Sequence, residues 1–298
     1  MSWRLPDWLH QAPPSSDRQG VELLESLFAM AFVVEARDPY TGGHLWRVSQ
    51  YSRLLSGELG LAHGATARTA LGGFLHDLGK VAVPDEILHK PDALTDEEFA
   101  VVRTHPAVGA HLLERHPLRV LVEPAIRHHH ERYDGGGYPD RLAGDTIPLD
   151  ARIVGIADAF DAMTSQRPYR AAMPMDQAFD IVARETGRQF DPDCVDALLA
   201  LGRRGRLAPI HGHSDDHIPV QECPICGPTV VVTRHHHPGD TVYCPMCRAE
   251  MRLVEGGNGT LIPSPTGAAG TPEDVAPQPD TGLIQALVHD IDEELHCP

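Results

Sequence analysis

Several features that are common in proteins are scarce or missing in this sequence of 298 residues. No run of about eighteen apolar residues occurs, so we expect no transmembrane helix and no membrane insertion. The first twenty residues lack the apolar stretch of a secretory signal peptide, and we expect them to be a loose leader of a cytoplasmic protein. The net charge of -17 argues against binding to a nucleic-acid backbone, because like charges repel.

Lysine is the scarcest of the charged residues. Only Lys80 and Lys90 occur, against 23 arginines, so a lysine beside a histidine cluster is a candidate for a specific role. Apolar residues make up 42% of the chain, which is enough for a hydrophobic core and excludes global disorder. Two Cys-x-x-Cys pairs among six cysteines indicate metal binding in a reducing compartment rather than disulfides.

Apolar residues recur at helical spacing through the first two hundred residues, and strand signals are sparse there. The sequence therefore predicts a mainly α protein with a helical bundle at residues 21–205, after a leader at 1–20. A linker is predicted at 206–221, a small β unit at 222–255 and a disordered acidic tail at 256–298. Within that tail, Leu283 to Leu295 has the pattern of one short amphipathic helix.

Histidines and aspartates are clustered in the helical region. His76 precedes Asp77 where a helix ends, His105 lies on another helix, and His128, His129 and His130 are consecutive. Such groups are costly to bury unless something binds them. A carboxylate can bridge two cations while imidazoles supply further ligands, so the pattern indicates a metal centre with more than one ion. Asp158 lies on an otherwise apolar helix, and Asp161 follows on the same face, in a structural or an orienting role.

The same residues belong to a longer series of motifs from about Val21 to Leu201. Together these motifs resemble the HD-GYP family, a branch of the HD phosphohydrolases. The segments that carry the resemblance are Tyr40-Thr41-Gly42-Gly43-His44, His76-Asp77-Leu78-Gly79-Lys80, Pro84-Asp85, His105-Pro106, His129-His130-Glu131-Arg132, Gly137-Tyr138-Pro139, Ala157-Asp158 and Arg167-Pro168-Tyr169-Arg170.

The resemblance implies a helical metallophosphodiesterase that hydrolyses cyclic di-GMP to linear pGpG, GMP or both. It also implies two divalent ions, of which iron or manganese is the family's usual choice. One ion would be held by His44, His76, Asp77 and Asp158, and the other by Asp77, His105, His129 and His130. Members with a third ion carry a glutamate where this chain has Tyr40, so we expect a dinuclear centre. His128 lies outside the paired histidines.

The resemblance gives further residues a role toward the substrate. Asp77 and Lys80 are the expected catalytic residues, and Lys80 lies one helical turn beyond His76, where it is expected to reach the phosphate. Tyr138, Arg167 and Arg170 are expected to bind the dinucleotide, because guanidinium groups suit phosphate and guanine edges.

The small unit at 222–255 carries a second metal signal. Cys223, Cys226, Cys244 and Cys247 form two pairs with seventeen residues between them, which is typical of a structural zinc ribbon. A redox role for these pairs is the alternative. The mixed charge of the unit favours docking to a protein over binding to nucleic acid, and the acidic tail is a second candidate for binding a partner.

Two other functions stay open from the sequence. The same centre could hydrolyse a different nucleotide or cyclic dinucleotide. Alternatively, the helical domain could serve as a non-catalytic signalling adaptor.

Overall fold

The computed structural model describes residues 16–38, 42–90, 92–166, 172–276 and 279–296. Its larger part is helical, as the sequence predicts. The helices of this part are α1 (Ser16–Glu35), α2 (His44–Glu58), α3 (His63–Leu75), α4 (Asp85–Leu88), α5 (Asp96–Val102), α6 (His105–Leu112), α7 (Arg119–His128), α8 (Leu149–Thr164), α9 (Met175–Arg184) and α10 (Pro192–Arg203). Short 3-10 turns occupy Leu78–Ala82 and Gly144–Thr146.

One hydrophobic core joins these helices. Phe28 of α1 meets Phe74 of α3 edge-on at a centroid distance of 4.6 Å, and Tyr51 of α2 meets Phe160 of α8 at 5.4 Å. Close packing of α2 on α3 depends on a small residue, because a Cβ on Gly73 would lie 2.9 Å from Ser52 Oγ. The tight contact holds the amino-terminal end of α2 near the carboxyl-terminal end of α3.

Helix boundaries follow local chemistry in most places. A capping box begins α5, since Thr95 Oγ1 accepts from Glu98 N and the Glu98 side chain accepts from Thr95 N. Helix α7 contains a proline, Pro124, five residues after its first residue, Arg119. The proline removes the hydrogen bond to the carbonyl of Val120, a residue that is 75% exposed, so solvent can satisfy that carbonyl.

The region after α10 forms three small antiparallel sheets. Strands β1 (His213–Asp215) and β2 (Ile218–Pro219) make a hairpin, and β3 (Gln221–Glu222) pairs with β4 (Thr229–Val230). Strand β6 (Ala249–Glu255) lies between β5 (Thr241–Tyr243) and β7 (Leu261–Ala269). A second, smaller hydrophobic cluster fills this region and includes Cys223, Cys244 and Met251.

The segment predicted as a linker differs from expectation. Leu207 and Ile210 belong to the main core, and Asp215 on β1 is buried against Arg234. Leu207 and Ile210 lie three positions apart in a short stretch flanked by arginines and histidines, so sequence periodicity alone did not reveal their burial. At the other end, residues 16–20 of the expected leader form the first turn of α1, and the rest of the leader lies outside the described residues.

The expectation of a disordered tail is wrong for the described residues after Gly256. Strand β7 pairs along β6, and α11 (Thr281–His296) packs against α1 and α3. The predicted amphipathic helix is therefore present in the structure. Its apolar face, which includes Leu283, Leu287 and Ile291, is part of the main core.

None of the described helices is both long enough and apolar enough to cross a bilayer.

Candidate metal centre

The ends of several helices bring the clustered histidines together. His44 is the first residue of α2, His76 caps the carboxyl end of α3, and His105 is the first residue of α6. His129 caps α7, and His130 follows it. Asp158 projects from the middle of α8. These elements pack on one core, so residues that are more than one hundred positions apart in sequence share one buried site.

Asp77 lies between two groups of imidazoles. Its Oδ2 is 3.4 Å from His76 Nε2 and 3.7 Å from His44 Nε2. Its Oδ1 is 3.4 Å from His105 Nε2 on the other side. Each carboxylate oxygen therefore faces a different donor group, which is the arrangement that a bridging ligand requires.

The first donor group contains His44, His76 and Asp77, whose ligand atoms lie within 4.8 Å of one another. Asp158 adjoins this group, because its Oδ1 lies 3.5 Å from His44 Nε2 and 3.8 Å from His76 Nε2. His76 Nδ1 donates to the carbonyl of Gly73 at 2.7 Å, which leaves His76 Nε2 as a buried lone pair with no hydrogen-bond partner among the described residues. An orphaned buried acceptor of this kind is satisfied by a cation.

The second donor group contains His105, His129 and His130. His105 Nδ1 donates to Val102 O at 2.8 Å, and His129 Nδ1 donates to Ile126 O at 3.0 Å. The proton of each neutral ring is thereby on Nδ1, so the two Nε2 atoms face each other at 3.2 Å as lone pairs. Two facing acceptors repel unless a cation lies beside them, and the donor set therefore fits a divalent metal ion.

Burial sets the charge of these side chains. It lowers the pKa of His105 to about 4, with further lowering from Lys80 and His76, and that of His130 to about 3, with further lowering from His105, so both rings are neutral near pH 7. Burial opposes charge at His44 too, but hydrogen bonds with Asp161 and Asp77 raise its pKa to about 9. Burial likewise opposes ionisation of Asp77, yet Lys80 and His76 hold the pKa of this carboxyl well below its usual range. The site thus favours positive charge beside His44 and Asp77.

One glycine permits the close approach of the two donor groups. A Cβ on Gly79 would lie 1.9 Å from the carbonyl oxygen of His105, so no other residue fits without moving the start of α6. The glycine therefore lets the turn after Asp77 lie directly against His105.

The segment after the histidines folds back over the second group. Tyr138 stacks on His130 at a centroid distance of 4.9 Å, and the Tyr138 amide donates to His130 O at 3.2 Å. Glu131, which is buried, accepts from the amides of Asp140 and Leu142 and so anchors this loop. The guanidinium of Arg103 lies 4.5 Å from the ring centre of Tyr138, on the outer side of the site.

The remaining predicted site residues fall in three places. Lys80 Nζ lies 2.6 Å from Asp77 Oδ2, at the edge of the centre. His128 instead pairs with Asp140 at 2.9 Å, away from both donor groups. Tyr40, Arg167 and Arg170 lie outside the described residues.

The four cysteines of the two Cys-x-x-Cys pairs also converge, with their sulfur atoms within 4.8 Å of one another. Cys223 Sγ lies 3.7 Å from Cys247 Sγ, and Cys226 Sγ lies 3.5 Å from Cys244 Sγ. Burial opposes ionisation of Cys223, but hydrogen bonds from the amides of Ile225 and Cys226 lower its pKa to about 7. Thiolates in this arrangement fit a tetrahedral metal ion.

Sequence reasoning did not identify three residues that shape the site. Glu131 belongs to one of the family motifs, but the sequence did not indicate its role in anchoring the loop. It indicated no role for Arg103 or Arg47. Arg103 precedes His105 by two residues, and Arg47 follows His44 by one helical turn, so spacing from a proposed ligand was the available signal.

The helical bundle with two adjoining His/Asp donor groups defines a metal-binding helical domain. The sequence model of the HD domain family matches residues 29–194, so the chain belongs to the HD domain family. This match confirms the family resemblance found in the sequence. Membership of this family implies that the domain binds divalent metal ions.

Named relatives match the same region. The chain is 45% identical over 184 residues to the cyclic di-GMP phosphodiesterase response regulator RpfG of Xanthomonas campestris, covering 61% of this chain and 48% of the relative. It is 40% identical over 177 residues to 3'3'-cGAMP-specific phosphodiesterase 2 of Vibrio cholerae, covering 59% and 34%. It is 38% identical over 181 residues to a cyclic di-GMP phosphodiesterase of Thermotoga maritima, covering 60% and 49%. The matched region spans about half or less of each of these relatives.

Proposed function

We propose that the chain is a metal-dependent phosphodiesterase that hydrolyses cyclic di-GMP to linear pGpG, GMP or both. The observation that carries the proposal is the position of Asp77, whose two carboxylate oxygens face two separate histidine groups. The names of the relatives supply the class of substrate, since all three are phosphodiesterases of cyclic dinucleotides.

The proposed ligands divide into two sets that share Asp77. His44, His76 and Asp158 would complete the site of one ion, and His105, His129 and His130 the site of the other. Mixed imidazole and carboxylate ligands suit iron or manganese. Two bound divalent ions supply Lewis acidity, which lowers the pKa of water and neutralises phosphate charge.

The protein's own groups would orient the substrate. Lys80 is a cation at the edge of the centre, and its ammonium would donate a hydrogen bond to a phosphate oxygen in place of, or beside, Asp77. Tyr138 covers His130, and its ring would contact the dinucleotide at the lip of the centre. Arg103 lies over that ring and adds positive charge on the approach. Arg167 and Arg170 are proposed to contact the dinucleotide as well.

The module at 222–255 is proposed to bind one structural zinc ion through Cys223, Cys226, Cys244 and Cys247. A protein partner for this module or for the acidic carboxyl-terminal region is a further part of the proposal. The acidic character of the chain as a whole supports a protein partner over a nucleic acid.

A second substrate is favoured by one specific comparison. A relative that is 40% identical is named for 3'3'-cGAMP, at nearly the same coverage of this chain as the relatives named for cyclic di-GMP. Hydrolysis of 3'3'-cGAMP is therefore the second candidate activity.

One experiment tests both candidates. Anaerobically purified protein of known metal content is incubated with cyclic di-GMP, 3'3'-cGAMP and cyclic di-AMP, and the products are resolved by chromatography. We expect turnover of cyclic di-GMP to exceed that of the other two. His128→Ala is the matched control, because this histidine adjoins the ligands in sequence but pairs with Asp140. Absence of turnover by a fully metallated sample would overturn the proposal in favour of a signalling adaptor.

A further inference from the structure

Strand β1 lies directly on the residues that precede His44. Gly43 has a φ of 75°, and a Cβ at this position would lie 2.4 Å from Ser214 Cα. A Cβ on Gly42 would likewise lie 2.6 Å from Thr229 Cγ2 on β4. The main chain leading into the proposed ligand His44 is thus in contact with two strands of the carboxyl-terminal region.

Arg47 connects the same strand to the metal centre. Its Nε donates to Asp161 Oδ1 at 2.6 Å, and its Nη2 donates to Asp161 Oδ2 at 3.1 Å. Its Nη1 donates to the carbonyl of His213 on β1 at 2.9 Å. Arg47 and Asp161 are both almost completely buried, so neither has solvent as an alternative partner.

Asp161 completes the connection to His44. Its Oδ2 accepts a hydrogen bond from His44 Nδ1 at 2.8 Å, which directs His44 Nε2 toward Asp77 and Asp158. A carboxylate on the far nitrogen of a ligating histidine fixes the orientation and raises the basicity of the ring. The hydrogen-bonded series therefore runs from β1 through Arg47 and Asp161 to a proposed ligand.

Strand β1 is in turn tied to the four-cysteine module. Asp215, the last residue of β1, is buried. Its carboxylate accepts hydrogen bonds from Arg234 Nε at 2.9 Å and from Arg234 Nη2 at 2.7 Å. Arg234 lies between the two Cys-x-x-Cys pairs in the sequence. A module that served only as an independent docking unit would not need an ion pair to a buried aspartate on the strand that supports Arg47.

We propose that β1 positions His44 through Arg47 and Asp161, so that the folded four-cysteine module is required for full metal affinity at the site of His44, His76 and Asp77. The inference rests on the metal-binding part of the proposed function. Arg47 and Asp161 are positioning residues in this scheme. The site of His105, His129 and His130 lies on other helices and does not depend on β1.

The first test uses Arg234→Ala, which breaks the pair with Asp215 without changing any proposed ligand of either metal. Wild-type and variant proteins are dialysed against graded Mn²⁺, and the two occupancies are followed by elemental analysis and by the Mn²⁺ electron paramagnetic resonance signal. We expect one site to bind about 10-fold more weakly and the other to be unchanged. Arg252→Ala on β6 is the matched control, since its side chain is exposed and donates only to Gly239 O at 3.3 Å among the described residues.

The second test removes a cysteine ligand. Cys247→Ser is expected to release the zinc and to weaken the same Mn²⁺ site, whereas Asp161→Asn is expected to weaken that site by about 10- to 100-fold with the zinc retained. Circular dichroism checks that the helical domain stays folded in every variant. Equal weakening of both Mn²⁺ sites would indicate a merely structural role and overturn the inference.

These readouts separate the inference from the enzymatic proposal. If Arg234→Ala and Cys247→Ser bind Mn²⁺ at both sites with wild-type affinity, the inference fails even where the wild type hydrolyses cyclic di-GMP. If no cyclic dinucleotide is hydrolysed but one Mn²⁺ site weakens in both variants, the inference stands and the proposed reaction fails.

Discussion

Asp77 dominates the centre at the scale of single residues. Its carboxylate faces both histidine groups, and it also accepts a hydrogen bond from the ammonium of Lys80. Its charge therefore balances donors from three helices and the turn that follows it. Loss of that charge affects both proposed ions, whereas loss of any single histidine affects one.

The first prediction concerns Asp77→Asn, which keeps the shape of the side chain and removes its charge. We expect both metal ions to bind more weakly and turnover of cyclic di-GMP to fall by at least about 100-fold. Metal content per chain and initial rates at saturating substrate check this. Near-wild-type turnover at full metal occupancy would remove Asp77 from its bridging role.

Lys80 provides the second prediction. Lys80→Ala should keep the metal content, because an ammonium is not a metal ligand, but lower kcat by about 10- to 100-fold through loss of a cation near the phosphate. Lys80→Arg is the matched variant and should retain part of the rate. Because Lys80 also pairs with Asp77, metal content has to be measured alongside the rate. Parallel loss of metal and rate would make Lys80 a support of Asp77.

The third prediction concerns Arg103, which lies over Tyr138. Arg103→Ala should raise KM for the dinucleotide about 10-fold and leave kcat near the wild-type value, since a charged contact to phosphate contributes about 1.5–3 kcal/mol to binding. Arg115→Ala, an exposed arginine outside this loop, is the control. An unchanged KM would place Arg103 outside the substrate path.

At the scale of elements, the centre depends on where helices end and how closely they approach. Gly79 allows the turn after α3 to touch the first residue of α6, and Gly155 on α8 similarly faces the carbonyl of His129, 2.6 Å from where its Cβ would lie. These glycines do not face open space. Both lie where the main chains of two elements that carry proposed metal ligands come into close contact.

The fourth prediction compares two glycine substitutions. Gly79→Ala should lower the free energy of unfolding by about 1–3 kcal/mol and weaken the metal site at His105, because the added methyl meets the His105 carbonyl. Gly64→Ala in the first turn of α3 meets nothing within 4 Å and should raise that free energy by about 0.5–1 kcal/mol. Urea unfolding of both variants measures the difference. A neutral Gly79→Ala variant would contradict the close contact.

Much at this scale follows from the sequence. Apolar residues at helical spacing predicted the helical bundle, and the motif series identified the histidines that the structure brings together. The sequence did not predict the burial of positions 207, 210 and 283–291, because that burial depends on surfaces of helices far away in the chain. The Arg47–Asp161–His44 series was likewise not predictable, since spacing alone does not reveal which carboxylate meets which ring.

At the scale of the whole molecule, the carboxyl-terminal region packs on the helical domain. Helix α11 covers α1 and α3, and Glu294 on α11 forms an ion pair with Arg53 on α2. Beside it, β1 and β4 lie against the residues before His44. Within the described residues, the carboxyl-terminal region therefore contacts the helical domain at several places.

The fifth prediction tests the contribution of α11 to stability. Leu287→Ala and Ile291→Ala should each lower the free energy of unfolding by about 2–5 kcal/mol, because both side chains are buried in the main core. Gln285→Ala on the exposed side of the same helix is the control and should change it by less than about 0.5 kcal/mol. Denaturant titration followed by circular dichroism gives these values. Small losses for both core variants would mean that α11 is detached in solution.

The return of α11 to α1 and α3 has a consequence for biosynthesis. A ribosome releases α1 and α3 early, but the helix that covers their apolar faces is translated more than two hundred residues later. Until then those faces are available to chaperones or to other nascent chains. A message that ends shortly after the cysteine pairs would encode every proposed metal ligand and still yield a chain with an unfinished core.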